Sequence, residues 1–274
     1  MGRTTCTANV RVYAELNDFL PEAVRQTTRS YRFNGTPAVK DAIEALGVPH
    51  VAVDLLLVNG RSVGFAHRLH DGDRVAAYPV FESLDITTLS RLRGRALRRT
   101  AFVADGHLGR LAQLLRLLGF DTVLKKDAPD SILAATAARD DRILLTRDRG
   151  LLKRSVVTHG YWVRSTQPLE QAREVVRRFD LAAGVRPFSC CLTCNGPLVS
   201  VHKSEIVDAI PPRVAAWRDA YLRCAGCGKI YWRGTHTPRL EALTAAILRT
   251  HAEPEEESPA TAADGVCEAM LEET

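Results

Sequence analysis

Hydrophobic and polar positions follow two periods along the chain. Ala101-Phe102-Val103-Ala104 is a continuous apolar run ending in Asp105, the pattern of a strand buried on both faces of a parallel sheet. Leu108, Leu111, Leu115 and Leu118 then recur at helical spacing and Gly119 closes the run, which predicts a helix over 107–118. A second run, Ile143-Leu144-Leu145, leads into Thr146-Arg147-Asp148-Arg149. The remaining pattern from 100 to 187 predicts strands at 121–124, 142–146 and near 161–163, with helices over 130–139, 148–154 and 168–180. Strands separated by helical stretches of this length imply βαβ units and a parallel sheet. No glycine-rich phosphate loop follows any strand, so a nucleotide-cofactor cradle is not expected.

Before residue 85 the pattern is that of a small α+β domain. Val10-Arg11-Val12-Tyr13 alternates as a half-buried strand, and Val39, Ile43 and Leu46 line one face of a helix that Gly47 ends. Leu55–Val58 reads as a buried strand closed by Asn59-Gly60, a hairpin turn, and Asp71-Gly72-Asp73 turns into the strand Arg74–Tyr78. Strands, one helix, then more strands is the β-grasp order. After residue 187, Cys191-x2-Cys194 and Cys224-x2-Cys227 stand 29 residues apart. Two such pairs supply four thiolates, the donor set of a closed, structural tetrahedral Zn²⁺ site, so a zinc ribbon is expected over 188–236. Cys190 is a spare, and two complete pairs make His202 and His236 unnecessary as ligands. Tyr231 and Trp232 beside Arg233 either stack on bases or pack the ribbon's own core. A last helix is expected over 237–250, followed by a disordered acidic tail.

Charge sharpens this division. Residues 86–187 carry 20 basic and 10 acidic side chains, whereas 251–274 carry 8 acids and no base. A basic middle around a few acids suits a polyanion substrate, although a solvated arginine-rich face would look the same. The linker 86–99, with Arg91, Arg93, Arg95, Arg98 and Arg99, is either a solvated connector or a phosphate-binding arm. No window approaches 18 uncharged apolar residues, the first residues lack a signal-peptide run, and the 7 cysteines are odd in number. An intracellular, cytoplasmic protein without a disulfide framework is therefore expected.

Asp105 and Asp148 stand where two buried strands end, the edge at which open α/β sheets bind ligands. A strand-end aspartate is most often a cap or turn former, and Asp130, opening a helix, can be explained as a cap. Two such acids, with Asp127 and Asp130 between them, also make a divalent-metal site for Mg²⁺ or Mn²⁺.

Two resemblances extend these readings. Leu57-Val58-Asn59-Gly60, Leu69–Val75 and Pro79-Val80-Phe81 resemble the ubiquitin-like sulfur carriers of molybdopterin-synthase and thiamine-biosynthesis type. Those carriers end in a free Gly-Gly, whereas Phe81 is followed here by Glu82-Ser83-Leu84-Asp85. The domain is therefore expected to be a structural or interaction module, with a protein partner, and not a carrier. Phe102–Ala112, Leu117–Thr122, Arg142–Arg149 and the cysteines through Tyr231–His236 resemble the PIN-like ribonucleases. Among these they look like the family named for the C-terminal RNase domain of mutator-type exonucleases. The resemblance implies a PIN-like α/β sandwich, acids gathered at one sheet edge and metal-dependent RNA cleavage. By position it assigns Asp105 and Asp148, with Asp130 as the middle acid and Asp127 as its alternate. Arg110, Arg147, Arg149, Lys153 and His107 are the expected RNA contacts. The chain is thus expected to hold an N-terminal β-grasp domain (1–85), the linker, a PIN-like domain with a parallel sheet (100–187), the zinc ribbon and the helix-plus-tail segment 237–274. The rival from another class is a non-catalytic RNA- or protein-binding adaptor whose acids are vestigial.

Overall fold

The computed structural model describes residues 5–79, 91–92, 100–234 and 236–249. In chain order the elements are β1 (Cys6–Val12), β2 (Arg29–Phe33), α1 (Val39–Ala45), β3 (Leu55–Val58), β4 (Arg61–Ser62), β5 (Arg74–Tyr78), β6 (Phe102–Asp105), α2 (Gly109–Leu117), β7 (Thr122–Lys125) and α3 (Asp130–Arg139). They continue as β8 (Ile143–Thr146), α4 (Arg149–Leu152), β9 (Gly160–Trp162), α5 (Pro168–Arg178), β10 (Leu198–Val201), α6 (Pro212–Trp217), β11 (Tyr221–Cys224), β12 (Ile230–Trp232) and α7 (Thr237–Leu248). Two units result: residues 1–99 with 134–162, and residues 100–133 with 163–274. Most of the arginine-rich linker, residues 80–85 and the acidic tail lie outside the described residues. No helix among the described residues is long and apolar enough to cross a membrane.

The first unit holds a five-stranded sheet in the order β2-β1-β5-β3-β4. β1 runs parallel to β5 and the other neighbours are antiparallel. The alternation of β1 sends Ala8, Val10 and Val12 into the core, where they meet Leu56, Val75 and Ala77 of the sheet and Val39, Ala42 and Ile43 of α1. Asn59 and Gly60 both take positive φ, 50° and 80°, as a tight hairpin of matching twist requires. Asn59 also bonds across the turn, donating from Nδ2 to Asp73 Oδ1 (2.8 Å) and accepting from the Arg74 N–H (3.0 Å). This is the β-grasp arrangement. The same unit contains β8, buried at all four positions, and β9, paired with it in parallel after a crossover through α4.

In the second unit β6 and β7 are parallel, joined by α2, with Phe102 opposite Thr122 and Asp105 opposite Lys125. Leu111, Leu114, Leu115 and Leu118 are buried, α2 packs on α5, and α5 packs on α7. Phe102 meets Phe120 and Phe179 edge-on. The ribbon is a three-stranded antiparallel sheet, β10-β11-β12. At Gly119 the backbone has φ +94°, and a Cβ there would overlap the Arg186 carbonyl. The end of α2 and the chain entering the ribbon therefore approach more closely than any side chain allows.

Candidate active site and metal centre

Asp105 is the last residue of β6 and is half-buried. Its side chain does not cap the 3-10 turn Gly106–Leu108 that follows. Because β6 and β7 are parallel and Asp105 pairs with Lys125, Asp127 leaves the same edge two residues beyond β7. A Cβ on Gly106 would stand 2.7 Å from the Lys126 carbonyl oxygen, so only glycine lets the two strand ends pass this closely. Asp127 is exposed and Asp130, half-buried, is the first residue of α3. There Pro129 O accepts from the Ile132 and Leu133 N–H groups (2.9 and 3.2 Å), and a carboxylate on this first turn complements the helix dipole. His107 is exposed, and Arg110 is half-buried on the first turn of α2.

Asp148 is placed differently. It is the N-cap of α4: its Oδ1 accepts from the Gly150 N–H at 2.6 Å, and its own N–H donates to Thr146 Oγ1 at 3.0 Å. The capping role weighed for strand-end acids thus applies to Asp148. A carboxylate has two oxygens, and this cap uses one.

Two of the five expected RNA contacts are engaged within the first unit. The Arg149 guanidinium donates to the carbonyls of Phe19 and Asp18 (both 3.2 Å) and lies 3.9 Å from the centre of the Trp162 ring. Phe19 in turn packs on Trp162 with centroids 5.0 Å apart. Lys153 Nζ donates to the Glu44 carbonyl at 2.9 Å. The buried His50 ring completes this seam, with one nitrogen 2.6 Å from Glu44 Oε1 and the other 3.0 Å from Val157 O. Arg147 is exposed. A lysine cannot reproduce the planar fork that spans two carbonyls and stacks on the indole. Arg149→Lys is therefore expected to lower the unfolding free energy by about 1–3 kcal/mol, read from denaturant midpoints, with RNA affinity and its salt dependence kept. A phosphate contact would instead reveal itself in Arg149→Ala as a salt slope reduced by about one charge.

The four cysteines form a ready metal centre. The Sγ atoms of Cys191, Cys194, Cys224 and Cys227 lie within 4.8 Å of one another. Cys191–Cys227 and Cys194–Cys224 are separated by 3.7 and 3.3 Å. Four thiolates around one Zn²⁺ at Zn–S of about 2.3 Å would stand roughly 3.8 Å apart, so the donor set and its spacing fit that ion. The knuckle turns already aim N–H groups at sulfur: Cys194 at Cys191, and Gly226 and Cys227 at Cys224. Burial would push the Cys191 thiol up, but the Tyr231 hydroxyl, 3.1 Å away, and backbone N–H groups outweigh it and hold it down at about 6. Burial and the neighbouring sulfurs push Cys194 up to about 12. Cys191 and Cys224 are thus held down while Cys194 is pushed up, and a dication relieves that conflict among crowded sulfurs. Cys190 stands outside the group, its sulfur 3.4 Å from the Gly119 carbonyl.

Two residues not singled out from the sequence, Arg116 and Asn195, tie this centre to α2 and β7. Arg116, only 4% exposed, donates to the carbonyls of Thr122 (2.9 Å), Leu192 (2.9 Å) and Thr193 (3.1 Å). The last two lie inside the first cysteine knuckle. Burial pushes its guanidinium down while the cysteines and Asp121 pull it back up. Asn195, at φ +68°, donates to Asp121 Oδ1 (2.6 Å) and accepts from the Thr122 N–H (2.8 Å). In sequence Arg116 is one more arginine on a helix. The missing apolar residue at its otherwise buried position is the one local hint.

Comparisons with known proteins bear on the whole chain. No curated protein matches it. The solution structure of the Haloferax volcanii HVO 2177 protein is 21% identical to it, covering 31% of this chain and 92% of that one with a TM-score of 0.26. Residues 5–85 match the family model described as Mut7-C ubiquitin, and residues 100–244 match that described as Mut7-C RNAse domain. With that second match spanning more than half of its length, this chain belongs to the Mut7-C RNAse domain family.

Proposed function

We propose that this protein is a metal-dependent ribonuclease that hydrolyses RNA phosphodiester bonds. The observation that carries this reading is the Mut7-C RNAse match over residues 100–244, which includes the carboxylates at the ends of buried parallel strands. Asp105, Asp130 and Asp148, with Asp127 as alternate, are the acids of the site. Their donors are all hard carboxylate oxygens, which suit Mg²⁺ or Mn²⁺. A divalent ion held there would supply Lewis acidity and a water of lowered pKa. The protein's own part is to orient and to hold charge: Asp105 is uncommitted to capping, while Asp148 keeps its place through the Gly150 N–H. Arg147, Arg110 and His107 position the phosphate backbone. Arg149 and Lys153 act on that surface through the segment they anchor. The cysteine centre takes Zn²⁺ as a structural ion and steadies a ribbon that helps hold RNA. The ubiquitin-like domain offers a surface to a protein partner, and a cysteine set suited to metal binding rather than to disulfides fits a cytoplasmic setting.

The decisive experiment incubates the full chain with a mixed RNA pool in magnesium-free buffer, then adds back Mg²⁺ or Mn²⁺. Add-back is preferable to EDTA alone, which would also strip thiolate-bound zinc. Fragmentation that appears only with the added ion is the expected result. RNA binding of equal strength with and without the ion, and no cleavage in either, would overturn hydrolysis and favour the adaptor.

A further inference from the structure

Between the ribbon sheet and the start of α7 lies a cleft of about 630 Å³. That is within the size range of small-ligand sites, about 300–1,000 Å³. Its walls are apolar and aromatic, with Phe188, Leu222, Tyr231 and Trp232 among them, and Lys229 and Arg233 stand in its lining. None of the described residues lining it is Asp or Glu. Arg233 pairs with Glu241, and both side chains are exposed, so an incoming phosphate can displace that partner. Trp232 is 37% exposed although it is the largest apolar side chain of the ribbon sheet. Tyr231 is fixed beside it by the bond from its hydroxyl to Cys191.

A further observation concerns the backbone of one wall residue. Phe188 sits at φ +60°, a left-handed backbone that bulky residues rarely adopt. Strain of this kind persists where the surroundings over-determine it, and it concentrates at binding and catalytic sites. Here the strained residue is an aromatic in the wall of the cleft.

We propose that this cleft takes an unpaired RNA base, stacked on Trp232 or Tyr231, with the adjoining phosphate against Lys229 and Arg233. The proposal rests on the ribonuclease reading for the identity of the polymer. Base stacking on an aromatic side chain tolerates every base, because each has a π face, and Lys229 and Arg233, the latter with an exposed and displaceable partner in Glu241, complement the phosphate that accompanies it. An apolar peptide would use the same walls but bring no anion for Lys229 and Arg233. The site therefore selects single-stranded RNA, whose bases are free to enter, over duplex.

The test uses the full zinc-loaded chain in divalent-free buffer, so that binding is read without cleavage. The protein has 3 tryptophans, and Trp217, 83% exposed, would obscure the signal. The background is therefore Trp217→Phe. A single-stranded oligoadenylate should quench fluorescence saturably, and a duplex of equal length should not. Trp232→Leu should weaken single-strand binding, read from the anisotropy of a labelled oligonucleotide, about 10-fold or more at unchanged zinc content, with Trp232→Phe restoring most of it. Lys229→Ala should reduce the salt slope by about one charge. Single-strand binding unchanged in Trp232→Leu, or equal quenching by duplex, would overturn the proposal. Cleavage without quenching would sink the cleft alone. Quenching without cleavage would leave the cleft standing and sink the hydrolysis reading.

Discussion

Asp148→Asn should leave the protein nearly as stable as before and cut RNA cleavage by at least about 100-fold, some 2.7 kcal/mol of barrier. The two halves of this result have separate causes. Asparagine is as good an N-cap as aspartate, so the bond from the Gly150 N–H to residue 148 survives the exchange. The negative charge does not survive, and with it goes an anionic oxygen that can bind a hard cation and the electrostatic stabilisation it supports. Asp148→Ala separates the terms further, adding a cap loss of about 1 kcal/mol to the same catalytic loss. Asp105→Asn should match the activity loss, and here no cap is at stake. Initial rates on a labelled single-stranded RNA, beside urea midpoints for each variant, check the pair. Wild-type rates in Asp148→Asn would reduce Asp148 to a capping residue and remove it from the site.

What the pattern of residues revealed, and what it hid, follows from the range of the interactions. β6 and β8 announce themselves because strands buried on both faces must be apolar at every position, as Phe102–Ala104 and Ile143–Leu145 are. The Asn59-Gly60 turn is equally local, since only positive φ closes it. β2, by contrast, is an edge strand whose Ser30 and Arg32 face solvent, so its alternation is diluted by polar residues. α4 stops at Leu152, short of the expected 154. Lys153 there spends its amine on the Glu44 carbonyl, 109 positions away in sequence. The bonds from Arg149 to Phe19, from His50 to Val157 and from Arg116 to Leu192 likewise cross 76 or more positions. Residue type says that an arginine needs acceptors. It does not say that they will be carbonyls of another segment in place of phosphates in solution.

Cys224→Ser should release the ribbon's metal and loosen more than the ribbon. Cys224 is 1% exposed and accepts N–H bonds from both Gly226 and Cys227, so a serine there is a poor ligand set into a turn built for thiolate. Apparent zinc affinities of Cys-rich sites amount to about 10–16 kcal/mol of folding free energy, and a three-stranded ribbon has little core to replace it. Its buried cluster is Val201, Ile206, Ile210 and Tyr221. The loss should then pass to α2 through Arg116. That buried guanidinium depends on the Leu192 and Thr193 carbonyls of the first knuckle, and a buried charge left without acceptors costs several kcal/mol. Amides of α2 and β7 should accordingly exchange faster in Cys224→Ser, while those of β1, β3 and β5 keep their protection. Acid should mimic the substitution, because thiols that regain protons release the ion. Elemental analysis should find one zinc per wild-type chain and much less in the variant. Full zinc in Cys224→Ser would overturn the four-thiolate assignment, and unchanged exchange in α2 after zinc loss would show that Arg116 does not couple the ribbon to the helix.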